Sequence, residues 1–152
     1  MGLRQQKAIK LQAIVIAALV KLTAKKSFDD VFVDHICQEA GISKVTMFKY
    51  FKDKDGLLLA WWEEWCDKIK LGSSLELVDE VYTMYQHRPT LMEAAVSAVA
   101  KERAGGRFQK AIEYRLAFSF PKVKNGILVA AIVGAVGVDI GLLPEMVRSA
   151  LK

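Results

Sequence analysis

Apolar residues recur three and four positions apart along most of the chain, and this spacing is typical of amphipathic helices. We predict helices at residues 5–25, 33–40, 44–51 and 54–71, then at 75–87, 91–103 and 107–118, followed by an apolar stretch at 127–143 and a short last helix. Residues 1–4 are expected to form a loose arm. No stretch alternates with the period of two that a half-buried strand requires. The fold class is therefore predicted to be all-α.

Turn and capping residues mark the ends of several predicted helices. Gly41 supplies the turn between the second and third helices, because glycine adopts positive φ without steric cost. Ser43 is placed to cap the third helix, and Asp53 is placed to cap the fourth. Thr90 and Glu93, three positions apart, form a capping-box pattern that predicts the start of the sixth helix near residue 91.

The apolar positions also predict which side of each N-terminal helix is buried. In the second and third helices we expect Ile36, Ala40, Met47 and Phe51 to face inward. Phe28 is expected to fill the core beneath the turn that follows the first helix. The predicted buried face of the first helix consists of Leu11, Ile14, Val15, Ala18, Leu19 and Leu22.

Basic residues are concentrated in the first third of the chain. Of the 22 lysines and arginines and the 17 acidic residues, ten basic and five acidic ones precede residue 55, and the rest of the chain is balanced. A cationic segment joined to a neutral body is typical of proteins that bind a polyanion. The alternative is a basic surface that serves solubility alone.

The two cysteines, Cys37 and Cys66, lie far apart in helical patterns, so they predict neither a disulfide framework nor a zinc site. We predict no metal ion and no cofactor. The basic start of the chain has no small-residue cleavage pattern, which argues against a signal peptide. A cytoplasmic protein is therefore expected.

Residues 33–58 contain two short helices joined by a glycine turn, which is the arrangement of a DNA-reading helix-turn-helix unit. A longer pattern surrounds this unit and comprises Val15-Ile16-Ala17-Ala18, Val33, Ile36, Ala40-Gly41-Ile42-Ser43, Thr46 to Phe51, Lys54 and Leu57-Leu58. Over about residues 15–58 the chain resembles the TetR family of bacterial transcriptional regulators. The resemblance implies a three-helix DNA-binding domain at residues 1–53. A long fourth helix would join it to a helical effector-binding and dimerisation domain at residues 54–152.

The third helix carries side chains suited to duplex DNA, because the N-terminal end of a recognition helix meets base edges in the major groove. A lysine suits guanine, a valine suits the methyl group of thymine, and hydroxyl groups suit phosphate oxygens. The backbone amide at the start of the fourth helix is also placed to meet a phosphate. A solvated helix face is the alternative for the lysines. The predicted DNA-binding set is Ser43, Lys44, Val45, Thr46, Lys49, Tyr50 and Lys54.

Several positions depart from the pattern that is usual in the TetR family, among them Ser27, where glycine is often found, and Val31-Phe32, where threonine or serine usually enters the second helix. Val45 stands where glycine is usual, and Phe48 stands where a tyrosine hydroxyl usually touches phosphate. The second helix follows Phe32 instead of threonine or serine, so its N-terminal cap is missing or comes from Asp30 or Asp34. These changes bear on the DNA contacts more than on the fold.

The resemblance also implies a homodimer on palindromic duplex DNA and a small apolar or aromatic effector that releases the DNA. The stretch from Ile127 to Leu143 is the predicted dimer helix, because its glycines permit close helix approach. A membrane span is the alternative, and its marginal length and Asp139 argue against it. The residues predicted to line an effector pocket, with ordinary core as the alternative, are Trp61, Trp62, Trp65, Tyr82, Met84, Tyr85, Phe108, Tyr114 and Phe118.

Two hypotheses from other classes compete with a repressor. An enzyme is weakly supported, because His35 and His87 have no partner at catalytic spacing and the chain has no P-loop, nucleophile elbow or paired-carboxylate motif. The second is a helical interaction module that keeps the fold without sequence-specific DNA binding. Salt-dependent binding of duplex DNA separates a regulator from both.

Overall fold

The computed structural model describes residues 2–68, 80 and 83–119. Short 3-10 segments at Phe28–Asp30 and Arg103–Gly106 precede two of the helices, and residues 83–87 are also helical. These described ranges contain no β-strand, and the predicted all-α class is confirmed. None of their helices combines the length and apolarity needed to span a bilayer. The main helices are α1 Leu3–Thr23, α2 Val33–Ala40, α3 Lys44–Phe51, α4 Lys54–Lys68, α5 Pro89–Ala100 and α6 Arg107–Ser119.

α2 and α3 have the predicted bounds, whereas both ends of α1 differ from the prediction. The prediction of a loose arm at residues 1–4 is wrong, because α1 already includes residues 3 and 4. The carbonyl of Gly2 accepts the first helical hydrogen bond from the N–H of Gln6 at 3.1 Å. At the other end, the buried hydroxyl of Thr23 donates to the carbonyl of Leu19 at 2.7 Å. The predicted helix at 127–143, the last short helix and parts of those at 54–71 and 75–87 lie outside the described residues.

α5 begins at Pro89, and the predicted capping box of Thr90 and Glu93 is wrong. The N-cap position belongs to Arg88, whose side chain makes no capping hydrogen bond. Proline suits the first helical position, because its fixed φ matches the helix and its missing N–H has no partner to lose there. The helix ends at Ala100, three residues before the predicted end.

The side chains between the first three helices are closed to solvent. Ile36 and Met47 have no exposed surface, and Phe51 is almost fully buried, as predicted. Phe28 is also buried beneath the loop that follows α1, which confirms its predicted place. Ala40 is only half-buried. The short α3 is therefore anchored by its inner face to α2 and α4.

Ile14 was predicted in the buried face of α1, and this is wrong because 51% of its surface is exposed. The face that the other helices cover is formed by Val15, Ala18 and Leu19. Successive helical residues are turned by about 100°, so Ile14 lies on the flank beside that face. Sequence periodicity alone did not distinguish the edge of the apolar stripe from its centre.

α4 joins the first three helices to α5 and α6. Leu57 and Leu58 are fully buried, and the indole Nε1 of Trp62 donates to the carbonyl of Phe108 at 2.8 Å. The described buried residues form one cluster that extends from α1 to α6. α4 therefore contacts the recognition unit at one end and the C-terminal helices along its length. The domain boundary between residues 53 and 54 stays a prediction.

Candidate nucleic-acid interface

Gly41 sets the direction of α3 relative to α2. Its backbone lies at φ 71° and ψ 35°, the left-handed region that residues with a Cβ enter at a cost. The N–H of Gly41 donates to the carbonyl of Gln38 at 3.3 Å, and the N–H of Ile42 donates to that of Cys37 at 3.0 Å. This is the pattern of a helix terminated by glycine. The predicted glycine turn is confirmed.

The N-terminal end of α3 is held by polar contacts within the protein. The Oγ of Ser43 accepts from the N–H of Thr46 at 3.2 Å, which confirms the predicted cap, and lies 2.9 Å from the Oγ1 of Thr46. The ammonium of Lys44 pairs with the Oδ1 of Asp34 at 2.5 Å. Asp34 lies in the first turn of α2, where no side chain caps the helix. The side chains of Ser43, Lys44 and Thr46 therefore each have a partner within the protein.

Three large apolar side chains of this unit are exposed to solvent. Val45 is 79% exposed and Phe48 is 45% exposed, and both belong to α3. Phe32, at the start of α2, is also exposed, and its ring centre lies 5.6 Å from that of His35 in an edge-on arrangement. Exposed apolar residues grouped on one surface are typical of a binding site.

Lys49 and Tyr50 lie towards the C-terminal end of α3. They line an open cleft of about 630 Å³ between α1, α3 and α4, together with Lys52. The ammonium of Lys49 lies 5.8 Å from the centre of the Tyr50 ring. Glu64 and Asp67 of α4 line the same cleft, so acidic groups limit the positive potential on this flank. The DNA contacts of Lys49 and Tyr50 stay predictions.

The side chain of Lys54 has partners within the protein. Its ammonium donates to the carbonyl oxygens of Phe28 at 2.7 Å and of Val31 at 3.1 Å. It also lies 4.3 Å from the centre of the Phe28 ring. Carbonyl oxygens and an aromatic face both attract a cation, so this ammonium points into the loop between α1 and α2. The phosphate contact of the backbone amide of Lys54 stays a prediction.

The junction between α3 and α4 is tight. Lys52 has φ 68° and ψ −52°, close to a γ-turn, and the N–H of Asp53 donates across it to the carbonyl of Phe51 at 2.7 Å. Asp53 caps α4 as predicted, because its Oδ1 accepts from the N–H of Gly56 at 2.7 Å. A Cβ on Gly56 would overlap the carbonyl oxygen of Phe51. Sequence analysis missed Lys52 and Gly56, whose roles come from the contact between two helices.

The aromatic set predicted to line an effector pocket is divided by the structure. The prediction that Tyr114 lines a pocket is wrong, because its side chain is 78% exposed and lies on the surface. Tyr82 and the side chain of Phe118 lie outside the described residues, and Met84 is half-buried against the core. The members that share one buried core are Trp61, Trp62, Trp65, Tyr85 and Phe108.

Two side chains of this core carry polar atoms that lack a hydrogen-bond partner within the described part of the chain. They are the Nε1 of Trp65 and the hydroxyl of Tyr85. Burial, and then the negative charge of Glu93, raises the pKa of Tyr85 to about 12. An unpaired buried polar group costs roughly 1–3 kcal/mol.

Both cysteines, Cys37 and Cys66, are buried. The Sγ of Cys37 lies 3.9 Å from the Sδ of Met47, and burial raises the pKa of the Cys37 thiol. Since the thiolate is the metal-binding and nucleophilic form, this environment favours a packing role. Across residues 2–68, 80 and 83–119, no three His, Cys, Asp or Glu side chains are grouped as metal ligands.

Residues 15–61 match the family model described as bacterial regulatory proteins, tetR family. The match covers the C-terminal part of α1 from Val15, all of α2 and α3, and the first half of α4. It therefore contains the glycine turn, the capped α3 and its junction with α4, and it confirms the resemblance predicted over about residues 15–58. No curated protein sequence and no solved structure matches the chain significantly.

Proposed function

We propose that this chain, whose residues 15–61 match the model of the tetR family, is a DNA-binding transcription regulator. It acts as a repressor in the cytoplasm, binds a palindromic operator as a homodimer, and leaves the operator when a small apolar or aromatic effector binds. The observation that carries the proposal is α3, which is fixed by Gly41 and Ser43 and exposes its outer face beside lysine side chains. This arrangement suits insertion into the major groove.

A homodimer is proposed because one α3 is too short to define an operator. Its eight residues span about 12 Å at 1.5 Å per residue, which covers only a few base pairs. Two copies related by a two-fold axis would place their α3 helices about 34 Å apart on successive turns of the DNA. The proposed dimer helix, Ile127 to Leu143, lies outside the described residues.

Effector coupling is proposed through α4, since this helix contacts α3 near its start and the C-terminal helices α5 and α6 farther along. At its start, Gly56 packs closely against the last carbonyl of α3. Farther along, Trp62 donates to the carbonyl of Phe108, and Glu63 pairs with Arg107 at 3.5 Å. An effector that shifts α4 within the aromatic core would change the separation of the two α3 helices and lower operator affinity.

Selection of duplexes from a random pool tests the DNA-binding part of the proposal. We expect a palindromic site, and we expect its affinity to fall steeply between two salt concentrations because lysines release counterions from phosphates. Lys49→Met should reduce the salt dependence, whereas Lys110→Met, on α6, serves as the matched control. Binding without sequence preference, or no salt-dependent binding at all, would favour the helical interaction module over the repressor.

Sedimentation of the protein with the selected duplex tests the dimer, for which two chains per duplex are expected. Effector coupling is tested by thermal shift against a panel of small aromatic and apolar compounds, followed by operator titration with each hit. A true effector raises Tm and weakens operator binding. Compounds that raise Tm while leaving operator affinity unchanged would count against the coupling through α4.

A further inference from the structure

The polar side chains at the N-terminal end of α3 are bonded to other side chains or to the backbone of the protein in the absence of DNA. Ser43 accepts from the N–H of Thr46 at 3.2 Å, and the two hydroxyl oxygens lie 2.9 Å apart. The ammonium of Lys44 is held by the carboxylate of Asp34 at 2.5 Å. These contacts are exposed, and a base would have to be bonded beside them or in exchange for them.

Val45 is the residue at this end that has no competing polar contact. It is 79% exposed, and Phe48, three positions later on α3, is 45% exposed. Residues three apart on a helix lie on one side with Cβ atoms about 5–6 Å apart. Val45 and Phe48 thus form a continuous apolar surface, which we call the α3 apolar patch.

The surroundings of the α3 apolar patch favour DNA as its occupant over an apolar protein surface. Lys44 and Lys49 flank the patch on α3, and Lys52 follows at the end of the helix. Cations around a small apolar centre complement the phosphates that border the major groove. Within that groove, the apolar group that a base edge presents is the C5-methyl of thymine.

We propose that this protein recognises thymine by its methyl group, with Val45 as the residue that determines specificity. Val45 packs on the C5-methyl of one thymine in each half-site, and Phe48 extends the apolar contact and excludes water beside it. The half-site therefore contains an A·T pair at the position that faces Val45. This inference rests on the proposed binding of operator DNA by α3.

Replacement of thymine by deoxyuridine provides the test, because uracil keeps the base pairing and lacks only the methyl group. After a site is selected from a random pool, each thymine is replaced singly and the duplex is titrated with the full chain. We expect one thymine per half-site at which the replacement weakens binding about fourfold. In Val45→Ala, this difference between thymine and uracil should disappear at that position.

Controls separate the methyl contact from general effects. Val45 is exposed, so Val45→Ala should keep its Tm, and Leu3→Ala, which alters an exposed apolar residue of α1, should keep the thymine preference. If replacing thymine by uracil changes the affinity at no position of the selected site, the inference is overturned, whereas the proposed DNA-binding regulator stands. A preference that persists in Val45→Ala overturns the assignment to Val45. Failure to bind any duplex overturns the proposed function as well.

Discussion

Replacing Gly56 by alanine tests whether the close contact between α3 and α4 positions the recognition helix. A Cβ at this position would overlap the carbonyl oxygen of Phe51 and lie 3.0 Å from its carbonyl carbon and 3.4 Å from the Oδ1 of Asp53. Real Cβ atoms almost never come within 3.0 Å of such an atom, so the two helices would have to separate by more than an ångström. The obstacle is backbone, which cannot rotate away as a side chain can.

The sign of the effect is opposite to the one that helix propensity predicts. Alanine within a helix is favoured over glycine by about 1 kcal/mol. Overpacking of a closed site costs about 1–3 kcal/mol, and the upper end applies where the neighbour is backbone. We therefore expect Gly56→Ala to lower the free energy of unfolding by about 2 kcal/mol, which corresponds to a fall in Tm of about 4–8 °C.

Thermal unfolding followed by circular dichroism measures this change, and titration of the selected operator measures its effect on α3. Displacement of α3 should weaken operator binding by about tenfold or more, because a shift of an ångström breaks several groove contacts together. Gly2→Ala is the matched control, since nothing lies within 4 Å of a Cβ at Gly2. An unchanged or raised Tm in Gly56→Ala would refute the reasoning.

Three further substitutions test individual contacts. Lys54→Met leaves two loop carbonyls without their donor, so the free energy of unfolding measured in urea should fall by about 2 kcal/mol. Lys52→Met is the control and should leave the free energy of unfolding nearly unchanged. Equal effects of the two substitutions would contradict the role given to Lys54. Ser43→Ala removes the cap of α3 and should lower the free energy of unfolding by about 1 kcal/mol in the same measurement. Ser43→Asn should keep the stability, because asparagine also caps a helix. An equally large loss in Ser43→Asn would argue against capping. Tyr85→Phe removes an unpartnered buried hydroxyl and should raise the free energy of unfolding by about 1 kcal/mol. The folded pKa of Tyr85, about 12, lies above its ordinary value of 10.0, so the unfolded chain releases this proton first and the free energy of unfolding falls between pH 10 and pH 12, with no such loss below pH 10. Denaturation curves in which Tyr85→Phe keeps the full alkaline loss would contradict this.

The sequence by itself predicted α2, the glycine turn and α3 with their observed bounds. The signals for these elements are local, because Gly41 ends one helix by its own conformational freedom and Ser43 caps the next through a neighbour three residues away. The buried positions Ile36 and Met47 were also predicted, since a short helix offers few alternative faces. Recognition of the family over this stretch follows from the same local residues.

Contacts between distant residues required the tertiary structure. The motif predicts that Lys54 supplies charge and a backbone amide to DNA, but it does not reveal that the ammonium bonds the carbonyl of Phe28, 26 positions away in the chain. The overlap of Gly56 with α3 depends on the angle between two helices, which no pattern of apolar residues specifies. The partner of Lys44 likewise became evident only when α2 and α3 were placed together.

The sequence alone therefore determined that α3 is a helix that faces outward, and the tertiary structure decided which of its groups are available to DNA. Helix bounds and caps arise from neighbours within four residues, and these can be seen in the sequence. Availability depends on which side chains have already found partners across the fold. At the reading end, Lys44 pairs with Asp34 and the hydroxyls of Ser43 and Thr46 bond each other, whereas the side chain of Val45 is 79% exposed.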